Sequence, residues 1–307
     1  MSPLIPIIKN RITWLDIIKP NQEDFEFLKR EFNFHPIILE ELQKPSARPK
    51  VEHYNDYLFL VYHFTIYDPL KRTSVEAEVD FLATKDYLIT VRYEENLEPI
   101  NKIIEKIKTD DLFKKKILEN TPGHLIYYIL DETIEFSLRQ LVHIKEKLCD
   151  IEEEIFAGRE AKMLKEIACL KRDILDYRVI TKPQKLIIQS LVRVGTEFFG
   201  QNIKIYFADL EGEFLKLEYL MDNFKETIES LENTNAQLLE AKTNKVMERF
   251  TILAFLTFPL MILAQILSIN AQDNPLLEHP YGFWIMAVII ILVMGVMFTF
   301  FKKKGWL

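Results

Sequence analysis

The sequence predicts an α+β soluble domain, a long helical stalk and two transmembrane helices. Three observations carry that prediction. Two apolar runs close the chain, with no charged side chain between 251 and 270 or between 282 and 301. The first 120 residues contain segments that alternate apolar and polar side chains, the period of strands. Ahead of the apolar runs, apolar residues recur in steps of 4 and 3 from Leu210 to Leu231. That is the spacing of a helix with one continuous seam.

The apolar runs are FTILAFLTFPLMILAQILSIN and GFWIMAVIIILVMGVMFTFF. Each holds roughly 20 residues, enough to cross a hydrocarbon core of about 30 Å as a helix. A soluble core helix of that length keeps a polar face, and these have none. The reading is a first span over 249–270, an external loop over 271–281, a second span over 282–301 and a basic tail over 302–307. Lys242, Lys245 and Arg249 precede the first span, and Lys302, Lys303 and Lys304 follow the second. The loop has Asp273, Glu278 and His279 but no Lys or Arg. Basic flanks stay on the cytoplasmic side. Both termini are therefore expected in the cytoplasm of a multi-pass protein of the cell (inner) membrane. MSPLIPIIKN lacks a basic stretch before an apolar core, so no cleavable signal is expected.

Residues 1–120 read as a cytoplasmic α/β domain. Strands are expected at RITWLDI, at 50–54, at 57–64, at 74–84 and at YLITVRY. Short helices are expected at EDFEFLKREF and PIILEELQ, then over about 96–108 and 110–119. The picture is a mostly antiparallel sheet of about four strands. Thr121-Pro122-Gly123 opens a helical region, 121–200. Ile134, Leu138, Leu141, Leu148, Ile151 and Ile155 form one stripe. Gly158 permits a reversal, and Leu164, Ile167, Ile174 and Tyr177 mark a returning arm that Pro183 interrupts. The run Glu152-Glu153-Glu154 reads as a solvated face, and Cys149 and Cys169 as small buried residues. Two cysteines rule out a disulfide framework.

The stalk, 201–248, carries the seam Leu210, Phe214, Leu217, Met221, Phe224, Ile228 and Leu231. Only Gly212 interrupts the helix-forming pattern before the membrane, so one helix is expected from about 206 to 270. At 1.5 Å per residue it is roughly 100 Å long. No single domain buries such a helix, so the seam is expected to meet copies of itself about a symmetry axis. Two spans per chain cannot enclose a conduit; several chains can. Asn244, Thr251, Phe258 and Gln265 are seven apart and share a stripe, with Met247, Ala254, Met261 and Ser268 beside it. Such residues line a pore or join spans by hydrogen bonds, and the pattern leaves both open. Asn270 closes the first span.

A net charge of -7 argues against nucleic acid as a partner. The six histidines show no paired ligand spacing. There is no glycine-rich phosphate loop, nucleophile motif or metal-hydrolase pattern, so no enzyme is expected.

RPKVEHYNDYLFLVYHF, the strand pair ending VDFLATKDYLITV, TPGHLIYYILDETIE, NKVMERFTILAFLTFPLMILAQILSIN and the KKKGWL end occur in that order. Together, over nearly the whole length, they resemble the CorA-type divalent-cation channels. The resemblance implies a homopentameric funnel in which the first membrane helix lines the pore and the second forms an outer ring. It implies movement of Mg²⁺, and also Co²⁺ or Ni²⁺, with a divalent cation both carried and regulatory. The family's Tyr-Gly-Met-Asn signature reads Leu267-Ser268-Ile269-Asn270 here, and only the Asn is kept. By the resemblance, Asn270 belongs to the ring that meets the hydrated ion. Neutral oxygens suit Mg²⁺, which sheds water reluctantly. Asn244 and Met247 match the cytoplasmic mouth. Met261 stands where typical members have Thr, and Gln265 where they have Gly. Both narrow the path, although Gln265 also offers carbonyl oxygens. A zinc-carrying variant, or a membrane scaffold that does not conduct, therefore stays open. Asp209, within YFADLEGE, matches an acidic residue that helps hold a regulatory cation between subunits. Gly212 replaces a second one, beside Glu211 and Glu213. The other reading of Asp209 is an ordinary early-helix carboxylate.

Overall fold

The structure, a computed structural model, describes residues 7–9, 12–118, 120–268 and 279–303. It divides into two compact units, Met1–Asn233 and Thr234–Leu307.

The first unit opens with β1 (Ile8–Lys9) and β2 (Thr13–Ile18). Asn21 then caps α1 (Gln22–Glu31): its Oδ1 accepts the Glu23 and Asp24 amides, while Asp24 Oδ2 accepts the Asn21 amide. This reciprocal box satisfies amides that a helix start leaves open. Pro36 begins α2 (Pro36–Glu41), where a missing N–H costs nothing. Next come β3 (Lys50–His53), β4 (Leu58–Asp68), β5 (Thr73–Ala83) and β6 (Tyr87–Arg92).

The sheet has six strands in the order β1-β2-β6-β5-β4-β3, where about four were expected. It is mixed, because β2 pairs with β6 in parallel, Leu15 opposite Ile89. Alternation shows that RITWLDI is a strand. It does not show that β2 returns beside the last strand, because a parallel pair closes through a long crossover.

One sheet face meets α1 and α2 through Ile17, Phe25, Leu28, Ile38, Phe59 and Val91. The other is covered by α5 (Pro122–Phe156) and α6 (Glu160–Thr181), while α3 (Glu98–Thr109) packs on α5 and α4 (Asp111–Leu118) on α3. Arg92 and Asp16 form a buried ion pair at 2.8 Å on this side. The Glu95 carbonyl and Asn101 Oδ1 accept from Arg92 Nη1, both at 3.0 Å. Such additional hydrogen bonds offset the cost of taking a charge pair out of water.

Gly158, at φ 85°, turns the chain from α5 into α6. Ile134, Leu141, Leu148, Ile151 and Ile155 are buried as expected, as are Ile167, Ile174 and Tyr177. Three details are corrected. Leu164 is exposed, Leu138 is half-buried, and Cys149 is exposed with Cys169 half-buried. An arm covered on one side buries a narrower stripe than its apolar residues suggest. α7 (Gln184–Phe199) follows and packs on β3 and β4. At Gly195 a Cβ would lie 2.4 Å from Phe207 Cε2, so only glycine admits this close approach.

After a 3-10 turn (Gln201–Ile203), α8 runs unbroken over Lys204–Ser268. Leu210, Phe214, Leu217, Met221, Phe224, Ile228 and Leu231 are all buried within this one chain. Arg178–Asp222 at 2.6 Å and Lys185–Glu218 at 2.7 Å tie the same stretch to the end of α6 and the start of α7. The expectation that copies of the chain fill this seam is therefore corrected. A 4-3 repeat specifies one apolar stripe and does not say whose side chains cover it.

The second unit holds the rest of α8 and α9 (Gly282–Lys303). Among the described residues, these two helices are long and apolar enough to cross a membrane. Most of their apolar side chains are exposed; Ile252 and Phe301 are buried. Pro259 lies inside α8. It leaves the Phe255 carbonyl without the usual partner four residues on, a defect that membrane helices tolerate.

Candidate cation path and acidic cluster

The heptad stripe of the second unit lies on one face of α8 and stays uncovered within one chain. Asn244, Thr251, Phe258 and Gln265 are exposed, as are Met247 and Met261. Thr251 Oγ1 donates to the Met247 carbonyl at 2.8 Å. This spends the hydroxyl proton inside the helix and leaves oxygen lone pairs for an ion or its water. Thr251, Ala254, Phe258, Pro259 and Ile262 line a groove of about 590 Å³ with almost no polar wall. Ser268 is the last residue of α8, and its side chain lies outside the described residues, as does Asn270. The structure thus places Asn244, Met247, Thr251, Phe258, Met261 and Gln265 along one helix.

At the start of α9, Tyr281, Phe283 and Trp284 are exposed, and Lys302 and Lys303 occupy its last turn. Aromatic rings favour the membrane–water interface, and basic side chains favour the cytoplasmic flank.

The second candidate lies in the first unit. Asp209 is exposed in the second turn of α8 and accepts a hydrogen bond from Tyr127 Oη at 2.9 Å. Asp131 stands one α5 turn beyond Tyr127. Burial, then the charges of Glu135, Asp209, Glu132 and Glu213, push Asp131 up to about 6. Glu132 itself is drawn below the usual carboxylate range. Its burial is outweighed by hydrogen bonds and charge from Lys102 and Lys106, and Arg139 lies 3.3 Å away. Lys216 bonds Glu213 at 2.5 Å, and Gln189 bonds Glu211 at 2.9 Å. Lys216 offsets the charge of Glu213, whereas the Gln189 amide is neutral and leaves Glu211 charged beside Asp131 and Asp209.

Sequence reasoning named Asp209 but missed Asp131, Glu135 and Tyr127. A signal was present: Asp131 and Glu135 share a helix face at i,i+4, as do Asp209 and Glu213. Among the described residues, no three His, Cys, Asp or Glu side chains converge to chelate a metal.

The family model described as "CorA-like Mg2+ transporter protein" matches residues 9–303. The chain belongs to this family. It is a family of transporters and not of enzymes. The "Cobalt/magnesium transport protein CorA" of Thermotoga maritima is 24% identical over 297 residues, covering 96% of this chain and 83% of that protein. The solved CorA magnesium transporter of Methanocaldococcus jannaschii superposes with a TM-score of 0.86 at 20% identity, over 97% of this chain and 92% of that one. Full-length CmaX superposes with a TM-score of 0.74 at 17% identity, over 98% and 91%. At such identities the two structures establish a shared fold. That fold includes the α+β domain, the long helix and the two membrane-length helices.

Proposed function

We propose that this CorA-family chain carries divalent cations, Mg²⁺ foremost and Co²⁺ next, through a path lined by α8 in a homopentamer. Both termini then lie in the cytoplasm. The observation that carries the reading is the face of α8 with Asn244, Thr251, Phe258 and Gln265 at seven-residue spacing. Three of the four are polar, and one chain alone leaves the face exposed. A polar side chain at membrane depth is costly against lipid and stable against a water-filled interior.

In this reading an ion meets Asn270 first. A ring of neutral carbonyl oxygens holds the hydration shell of Mg²⁺ without trapping the ion, as conduction requires. Gln265 is the next polar ring inward, and Ser268 sits between the two on the neighbouring stripe. Met261 and Phe258 form an apolar constriction that gates by dewetting. Thr251, Met247 and Asn244 lead to the cytoplasmic mouth. Gating by cytoplasmic cations at Asp209 is part of the proposal. A cation bound near Asp209 removes the repulsion among carboxylates brought together at a subunit interface and favours the closed state.

The test is cation uptake into liposomes that hold only this protein. Asn270→Ala is expected to cut uptake sharply with expression and assembly intact. Gln265→Gly, which restores the residue typical of the family, leaves uptake unchanged or raises it. Uptake indifferent to Asn270→Ala places the route elsewhere. No uptake of Mg²⁺, Co²⁺, Ni²⁺ or Zn²⁺ by the parent or by Gln265→Gly favours a scaffold that does not conduct.

A further inference from the structure

On the α1–α2 side of the sheet, β5 carries Glu78 and Asp80 two residues apart and so on the same face. They are 3% and 2% exposed. Glu78 is fully engaged. Its two oxygens accept the Ser46 amide at 2.9 and 2.7 Å, and its Oε2 lies 3.1 Å from His63 Nε2. His63 is its register partner on β4, and the other ring nitrogen, Nδ1, lies 3.1 Å from Glu76. Asp80 is only half engaged. Its Oδ2 accepts from Tyr93 Oη at 2.9 Å, while its buried Oδ1 meets no donor.

A buried acceptor left without a donor is rare and costly. Asp80 and Glu78 lie within hydrogen-bonding reach of one another, and two carboxyl groups share a hydrogen bond only when one carries a proton. A metal ion does not fill the gap, since among the described residues no chelating set exists. Lys50, the nearby ammonium, is held by Glu41 at 2.7 Å and Glu52 at 3.2 Å.

We infer that Asp80 is a carboxylic acid in the folded chain, that its Oδ1 donates a proton to Glu78, and that this shared proton straps the segment between α2 and β3 to the sheet through the Ser46 amide. The surroundings favour the neutral acid. Burial pushes Asp80 well above the usual carboxylate range, the charge of Glu78 adds to it, and Glu41 contributes from α2. The Tyr93 hydroxyl bond acts in the other direction. Facing groups are Glu41 from α2, Lys50 and Glu52 from β3, His63 from β4, Glu76 from β5, and Tyr93 and Glu94 just after β6. Glu94 is raised as well, by burial and then by Glu78 and Glu76.

The raised value sets the sign. The strap is whole while Asp80 keeps its proton and is lost as pH rises through Asp80's folded value. Ionisation leaves two adjacent anions out of water. The least costly relief is for Glu78 to turn toward solvent and release Ser46, which frees residues 43–49. The first unit thereby carries a pH-sensitive latch.

The test is hydrogen exchange read by mass spectrometry on the full-length protein in detergent. Peptides spanning 43–49 are compared at about pH 5 and about pH 8, with intrinsic exchange rates divided out. The parent is expected to lose protection as pH rises. Asp80→Asn, whose amide donates to Glu78 at any pH, keeps it. Glu94→Gln loses it as the parent does. Protection in the parent that does not change with pH overturns the inference, as does an equal loss in Asp80→Asn. If Asp80→Asn fails to fold, parent and Glu94→Gln decide: a loss in both supports the inference. A loss abolished by Glu94→Gln moves the proton to Glu94 and overturns it.

Discussion

Asp131→Asn isolates the electrostatics of the acidic cluster. The group moves from 3.8 in the reference state to about 6 in the folded chain. At about 1.4 kcal/mol per unit this is an upper bound of about 3 kcal/mol. Asp131 is half-exposed, so solvent screening reduces the figure to about 1 kcal/mol. The folded value is raised, so Asp131 contributes its stability while protonated. That contribution falls as pH rises from the ordinary carboxylate range through about 6. Asparagine mimics the protonated form at every pH. The variant is therefore expected to match the parent near about pH 4 and to melt about 2–4 °C higher at about pH 7. The assay is thermal unfolding of the detergent-solubilised protein at both pH values. Adding Mg²⁺ at the higher pH should raise the parent's melting temperature more than the variant's, because only the parent has repulsion to relieve. A gain equal at both pH values, or a Mg²⁺ response unchanged by the substitution, refutes the account of a charged Asp131–Asp209 pair.

Three further predictions extend the reading. Asp209→Ala is expected to keep conducting at cytoplasmic cation levels that close the parent; closure of both at the same concentration removes Asp209 as a sensor. Single cysteines at Ser2 and Asp273 need a background without Cys149, which is exposed, and without Cys169. An impermeant thiol reagent on intact cells should label position 273 and spare position 2, and the reverse pattern inverts the topology. Leu217→Ala opens a cavity in the buried seam at a cost of about 2–5 kcal/mol, which lowers the melting temperature by on the order of 10 °C. Native mass spectrometry should find the same pentamer in parent and variant; dissociation with an unchanged melting temperature would move the seam back between subunits.

Much of this protein is legible without coordinates, because its strongest signals are local or periodic. Uncharged runs of about 20 residues fix the two membrane helices whatever their neighbours, since a bilayer leaves the backbone few other ways to satisfy its hydrogen bonds. Period two marks β2 and β5, Pro36 marks a helix start, and Gly158 marks a turn where φ is positive. The polar heptad of α8 was readable for the same reason: spacing along one helix is a property of the chain alone. Tertiary structure decided what depends on partners distant in sequence. It put β2 beside β6, covered the 4-3 seam with the chain's own arms, and exposed Cys149. It also brought Asp131 toward Asp209 and set Asp80 against Glu78 without a donor. Periodicity specifies that a face is apolar or charged. Only packing specifies what that face meets, and for a carboxylate the neighbours decide whether it keeps its proton.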